Sequence, residues 1–578
     1  MKKIMLGVLL TGLICTTESL ANVGKPFVLE KYAPNQVLQK DQYDESLAAK
    51  CQNGTFVGCR QDDVCVWKGI PYAKQPVGAN RFKKATAPEK SKQVYEAYHF
   101  GKSNMQGADE HELASLYEQG DDMLCLNIWS NINGSKKKPV LVFIHGGGWV
   151  SGGTCDPLYN GFNFAHNNPD VMLVTITYRT GMLGQINLSS FPDGKDFKGS
   201  VNNGLFDQLQ ALRWIKKNIA AFGGDPKNVT ISGESAGGGS VSMLCILPEA
   251  RKYFQKAIPM SGGVNQAASM ESTKALPEAL KRDFGCKTVA ELQQVPFDKL
   301  RKWWVNGGEN YYHHCVGDEN FSADPFARWE RGDTKKIVVM QGHTSNEFAY
   351  YRAALLDMDV LYDGICEEVF RKVQNEANPA AKTALSAYVD ELKKLGYSGR
   401  DIYRQFTNDF SLAICNTYQA SEHAKNGGIG YSYTFDTSYD GSQAKLGAAH
   451  GVDCFYFFGN FDGKWGLGTP EEVDLSLKMQ KMIANFCKTG NPSIDGYEWP
   501  VYNNSTRYKM IFDVGEKLRV EKNPEGGRVE AALNLMKKSP KVRYADSVSS
   551  HFPAVEAKHP GVMAEYMRRA LELEKKRQ

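Results

Sequence analysis

The chain has 578 residues, 42% of them hydrophobic, and its 69 basic and 65 acidic side chains leave a formal net charge of only +4. That length exceeds a typical single core but suits one large α/β domain with long insertions. A balance this near neutral, with no basic stripe, excludes a nucleic-acid partner read from electrostatics.

Met1-Lys2-Lys3, the apolar run Ile4 to Cys15 and the small-x-small triplet Ser19-Leu20-Ala21 read as a signal peptide spanning residues 1–21. They predict export to the periplasm or the medium, with Asn22 as the mature N-terminus. Ile14 is large and directly precedes Cys15, which argues against lipid attachment there. No later run approaches the roughly 20 apolar residues that a membrane span needs. Loss of Cys15 leaves 12 of the 13 cysteines in a compartment where disulfides persist, so disulfide bonding is expected. Spacing does not give the pairing. Cys59 and Cys65 flank a turn at Asp62-Asp63 and could close a hairpin, while Cys245, Cys415 and Cys487 read equally well as buried small apolar residues.

Residues 22–530 are expected to form one folded body and residues 531–578 a helical extension. After a polar lead-in, Gly54 to Trp67 alternates like paired strands, and residues 83–120 form a long polar excursion. Pro139 to Ile144 is a continuous apolar run, suited to a strand buried on both faces. Val171 to Tyr178 predicts a second such strand. A helix is expected over Asp207 to Ile219, with Leu209, Leu212, Ile215 and Ile219 on one face. Phe222-Gly223-Gly224-Asp225-Pro226 stops it. Further strands are predicted at Ala257-Ile258, Ile337 to Met340 and Tyr431 to Phe435, with helices over parts of 273–303 and 359–395 and over 473–488. Such alternation implies an α/β fold with a central, mostly parallel sheet flanked by helices. The tail carries one amphipathic helix, Val562 to Lys576.

The chemistry centres on Asn228-Val229-Thr230-Ile231-Ser232-Gly233-Glu234-Ser235-Ala236-Gly237-Gly238, a β-branched strand, a sharp turn and a helix start. Ser235 is exposed at the tip, with Gly233 and Gly237 where a Cβ would collide with folded backbone. Serine needs a base, and the base needs an orienting group. Glu347 lies just beyond a predicted strand, where α/β sheets display functional groups. His450 sits among the small residues Gly447-Ala448-Ala449 and Gly451. Gly146-Gly147-Gly148, at the end of a buried strand, offers bare backbone N–H groups to a developing oxyanion. No Gly-Lys-Ser/Thr follows to make this a phosphate loop. No C-x-x-C pair appears, and His313-His314-Cys315 is too contiguous to chelate, so neither metal nor cofactor is expected.

Many separate blocks keep a common order: Gly69-Ile70-Pro71-Tyr72-Ala73, Leu126-Asn127-Ile128-Trp129, His145-Gly146-Gly147-Gly148-Trp149, Tyr178-Arg179, Asn203-Gly204-Leu205-Phe206-Asp207-Gln208, the elbow, Ser261-Gly262, Glu347, His450-Gly451, Thr489-Gly490-Asn491-Pro492 and Trp499-Pro500. From about Gly54 to Asp513 the chain resembles the type-B carboxylesterases, the cholinesterase-like branch of the α/β-hydrolases. The resemblance implies Ser235 as nucleophile, His450 as general base and then acid, and Glu347 as orienting carboxylate. It also implies an oxyanion hole of the Gly147, Gly148 and Ala236 N–H groups, a supporting Glu234, and a buried Arg81–Asp121 ion pair. Where the family usually has Glu-Asp-Cys-Leu this chain has Asp121-Asp122-Met123-Leu124, and Asn104 or a neighbour replaces the partner cysteine. Phe348 follows the acid where relatives carry a small residue.

Trp149, Tyr159, Phe348 and Phe455 are candidates to line an apolar gorge, with Trp149 and Phe348 expected to bind substrate. No tryptophan lies between Trp67 and Trp129, so a quaternary ammonium lacks its cation–π platform. The expectation is a secreted serine carboxylic-ester hydrolase acting on a small-molecule ester through an acyl-enzyme. The alternatives are an inert adhesion or binding protein on the same fold, or a lipase or amidase. Acyl and alcohol preference and oligomeric state carry no readable code.

Overall fold

The computed structural model describes residues 27–577 apart from 40–41, 108–112, 312–317, 319–320, 438–440, 465 and 545–547. The expected signal peptide and His313-His314-Cys315 lie outside the described residues.

In chain order the strands are β1 (Val37–Leu38), β2 (Ala48–Cys51), β3 (Gly54–Val57), β4 (Cys59–Gln61), β5 (Val64–Pro71), β6 (Val94–Glu96), β7 (Cys125–Asn131), β8 (Lys138–Ile144), β9 (Met172–Ile176), β10 (Gly224–Glu234), β11 (Lys256–Met260), β12 (Val338–Thr344), β13 (Gly430–Phe435), β14 (Tyr508–Phe512) and β15 (Arg519–Lys522). A small sheet has the order β1-β6-β3-β2, and an 11-stranded sheet has the order β15-β14-β13-β12-β11-β10-β8-β9-β7-β5-β4. From β14 through to β9 every pairing in the large sheet is parallel, and both edges are antiparallel. This is the mostly parallel α/β sheet that the apolar runs predict, and the α/β-hydrolase architecture that the resemblance implies.

The continuous run in β8 divides by a period of two. Val140, Val142 and Ile144 join one core and Leu141 and Phe143 the other. Met172, Val174 and Ile176 of β9 alternate with Leu173 in the same way. Helices Asn203–Asn218 and Ala236–Ile246 cover the first face, and helices Val452–Phe458 and Pro470–Thr489 cover the second. Phe143 anchors the second core, its ring 4.8 Å from that of Phe458 and 5.3 Å from that of Phe457. Truncating such a ring to alanine costs about 3–5 kcal/mol.

Three elements differ from the sequence reading. The strand expected over Ile337 to Met340 continues to Thr344, because β13 pairs with it as far as Thr344↔Phe435. The expected helix over Asp207 to Ile219 starts a turn earlier, at Asn203. Helix Gly526–Lys538 runs through the expected boundary at residue 530 and buries Val529, Ala532, Leu535 and Met536 in the main core. The tail continues with helices Phe552–Lys558 and Val562–Arg577, and Val555 packs against Gly364.

The hairpin disulfide is not formed. The turn pairs Gln61 with Val64, so Cys59 faces Val66 and Cys65 faces Arg60, and Cys65 carries a free thiol. Cys245, Cys415 and Cys487 are buried thiols at 0%, 1% and 0% exposure. Arg81 and Asp121 do pair, at 2.6 Å, and Arg81 also donates to Val295 O at 2.5 Å. Among the described residues no helix is long and apolar enough to cross a membrane.

Candidate active site

β10 ends at Glu234, and Ser235 forms the cap of helix Ala236–Ile246 with φ 57° and ψ −122°. A non-glycine residue held there is strained, and the surroundings must enforce it. They do so by contact. A Cβ on Gly237 would lie 2.0 Å from Ile144 O, and one on Gly233 2.6 Å from Gly237 C. Only glycine lets the helix fold back this closely on β8. Ser235 N donates to Met260 O at 3.0 Å, which ties the turn to the end of β11.

Glu347 and His450 converge on this serine from distant segments. Glu347 opens a short 3-10 turn just past β12, is 1% exposed, and accepts Thr344 N through Oε1 at 2.8 Å. Its Oε2 lies 2.6 Å from His450 Nδ1, and His450 Nε2 lies 2.7 Å from Ser235 Oγ. An ionised carboxylate only accepts, so Nδ1 carries the proton, and in the neutral form of the ring Nε2 is the acceptor for the serine hydroxyl. Two asparagines hold the converging loops. Asn346 N donates to Ala448 O at 3.0 Å and its Nδ2 to Leu446 O at 2.8 Å. Asn408 accepts Phe348 N at 3.1 Å and donates to Ser345 O at 3.0 Å.

Three carboxylates surround the imidazole. Glu234 Oε1 is 3.2 Å from His450 Nε2, close enough to favour the imidazolium. Burial alone would push the His450 pKa down, but Glu234 and then Glu347 outweigh it and hold the pKa up at about 9. Burial likewise opposes ionisation of Glu347, yet the His450 charge and hydrogen bond bring its pKa below the usual carboxylate value. Asp453 is 0% exposed and accepts Tyr433 OH at 3.0 Å. Burial and then the Glu347 charge raise its pKa to about 7. Sequence reasoning passed over Asp453, Asn346 and Asn408. The only signal for Asp453 is its place three residues after His450.

The glycine run lies against the elbow. A Cβ on Gly146 would meet Glu234 Oε2 at 2.9 Å and Ser235 Cβ at 3.1 Å. Gly147, Gly148 and Trp149 all have positive φ, at 92°, 60° and 58°. Val150 N and Ser151 N both donate to Gly147 O at 2.9 Å, closing a tight turn. Trp149 and Phe348, the expected substrate-binding residues, are nearly closed to solvent, at 1% and 4% exposure. The Trp149 indole donates to Ser240 Oγ at 2.9 Å, and Phe348 packs 4.9 Å from Tyr351 and 5.5 Å from Tyr362. Tyr159 packs against Phe143 at 5.4 Å, and Phe455 stacks on Phe27 at 6.3 Å. Among the described residues no group of three or more His, Cys, Asp or Glu side chains could hold a metal ion.

Ser235, His450 and Glu347 thus form one hydrogen-bonded line, and comparison with known proteins gives the family. The model of the carboxylesterase family fits residues 45–532. The chain belongs to the carboxylesterase family. Over 490 residues it is 31% identical to the para-nitrobenzyl esterase of Bacillus subtilis (strain 168), covering 82% of this chain and 96% of that one. The cholinesterase of Mus musculus is 29% identical over 500 residues, covering 79% and 81%. A solved carboxylesterase of Geobacillus stearothermophilus has a TM-score of 0.73 at 30% identity, covering 84% of this chain and 99% of that one. The expected membership of the cholinesterase-like, type-B branch is therefore met, and this carboxylesterase-family chain is a carboxylic-ester hydrolase.

Proposed function

We propose that the chain is a secreted serine esterase whose triad is Ser235, His450 and Glu347. The observation that carries this reading is the continuous relay from Ser235 Oγ to His450 Nε2, 2.7 Å, and from His450 Nδ1 to Glu347 Oε2, 2.6 Å. Ser235 Oγ attacks the ester carbonyl while His450 Nε2 takes its proton. The Gly147, Gly148 and Ala236 N–H groups receive the oxyanion, a contribution of about 10²- to 10³-fold per donor. The imidazolium then gives its proton to the departing alcohol. Water, deprotonated by the same nitrogen, attacks the acyl-enzyme and releases the acid. Glu347 keeps the ring in the tautomer this cycle needs.

Hydrolysis of p-nitrophenyl acetate, butyrate and octanoate by the mature protein tests the reading. Ser235→Ala is expected to cost up to about 10⁶ in kcat. A mutant keeping a tenth of wild-type turnover contradicts the assignment. Secretion is supported by the Met1 to Ala21 pattern, and mass spectrometry of exported protein is expected to find Asn22 as its first residue. An exported chain beginning at Met1 contradicts it.

A further inference from the structure

The turn that carries Gly147 and Gly148 is held from behind by two side chains that the proposed chemistry does not use. Asn104 and Gln106 are 0% and 1% exposed, and both end on Gly152. Gln106 Oε1 accepts Gly152 N at 2.8 Å, and its Nε2 donates to Gly152 O at 3.3 Å. Asn104 Nδ2 donates to the same carbonyl at 3.0 Å. Side-chain amides thus occupy both polar backbone atoms of Gly152. That residue has φ 93°, and a Cβ on it would lie 2.6 Å from His145 Nδ1 and 2.8 Å from Gly146 O. It is the point where the closing limb of the turn rests on the start of the glycine run. Gln106 is itself seated: its Nε2 donates to Ser103 Oγ at 2.8 Å and its backbone N to Gln119 Oε1 at 3.0 Å. Gln119 Oε1 also accepts Arg301 Nε at 2.8 Å.

We propose that Gln106 and Asn104 are positioning residues that fix the Gly147 and Gly148 N–H groups relative to Ser235. The proposal rests on the triad and oxyanion assignments made above. Oxyanion donors stabilise charge strongly only when they are already aimed at it, because reorganising them during reaction cancels the gain. A run of three left-handed residues in glycine-rich backbone has no intrinsic preference for one pose. The clamp supplies that preference at its far end. With Gln106 shortened or made apolar, the buried Gly152 N–H loses its acceptor, and the turn relaxes to find another.

The test compares an oxygen ester, p-nitrophenyl acetate, with its thiono analogue, whose developing charge sits on sulfur and gains less from N–H donors. Gln106→Met keeps the side-chain volume and removes the hydrogen bonds. It is expected to lower kcat for the oxygen ester about 10- to 100-fold, less than removing a donor outright, with KM within about twofold. Turnover of the thiono ester should fall much less. Asn104→Ala leaves the Gln106 contacts in place and should give the same ester discrimination in milder form, even if Gln106→Met folds poorly. Fluorophosphonate labelling to completion counts competent sites in every variant. Equal losses on both esters at full labelling, or no loss, overturn the clamp. A folded wild type that neither turns over ester nor takes the label overturns the triad reading first, and the clamp with it.

Discussion

The two sides of the site are built in different ways. On the serine side, apart from the Asn104 and Gln106 amides that clamp the glycine run, every determinant is local or lies on adjacent parallel strands: β10 delivers Ser235, helix Ala236–Ile246 leaves it, and β8 ends in the glycine run. Glycine hydrogens and backbone contacts set the geometry there. On the acid and histidine side, Glu347 and His450 are 103 residues apart in the chain, and side-chain hydrogen bonds from Asn346 and Asn408 hold the loops that carry them. Asn408 precedes a π-helical turn, Asp409–Ala413, a local irregularity of the kind found at functional sites. Asp409 within it is tied to Tyr388 OH at 2.7 Å and to the Arg528 guanidinium. The elbow is therefore rigid by construction, whereas the relay depends on a network assembled only in the folded chain.

Perturbing each side should give different signatures. Glu347→Gln keeps the shape of the acid but leaves the ring without its orienting charge. It is expected to cut kcat by about 10⁴ with little change in melting temperature, measured on p-nitrophenyl acetate. Gly237→Ala should do the reverse, acting on the fold before the chemistry. Its Cβ would stand 2.0 Å from a backbone oxygen, so a loss of about 3 kcal/mol, the upper end of over-packing costs, is expected in denaturant titration. A Gly237→Ala protein of wild-type stability would break the contrast. Asn408→Ala tests the network side more gently, with about a tenfold loss of kcat, near 1.4 kcal/mol, and a small change in stability.

The smallest effect is a shift rather than a loss. Catalysis requires neutral His450, so kcat/KM should rise with pH through a limb displaced upward from the ordinary imidazole value of 6.5 towards about 9. Glu234→Gln removes one of the charges that favour the imidazolium, and the limb should move to lower pH. An unmoved limb would mean that Glu234 does not act on the ring. By the same linkage the imidazolium stabilises the fold fully below pH 6.5, and that contribution is lost as pH rises through about 9.

The same contrast explains what could be read in advance. The fold was legible because the β8 run is apolar on both faces and because strand, turn and helix are contiguous around Ser235. Glu347 and His450 were legible as types in suitable loops, but their meeting rested on resemblance. Asn408 and Asp453 were not legible, since nothing in their local pattern tells a buried clamp or a buried acid from an ordinary helix residue. The Cys59–Cys65 pairing failed on a matter of register, because a two-residue turn sets Cys59 opposite Val66 and Cys65 opposite Arg60. Trp149 and Phe348 were legible as aromatics beside the glycine run and the acid, whereas their partners Ser240, Tyr351 and Tyr362 show only in the folded chain.

The most direct test of the central claim is to label the mature enzyme with a fluorophosphonate and map the adduct by peptide mass spectrometry. The account predicts one label per chain, on Ser235, with labelling slowed by several orders of magnitude in the His450→Ala variant. A label on another residue, or an unlabelled folded enzyme that still hydrolyses p-nitrophenyl acetate, would contradict it.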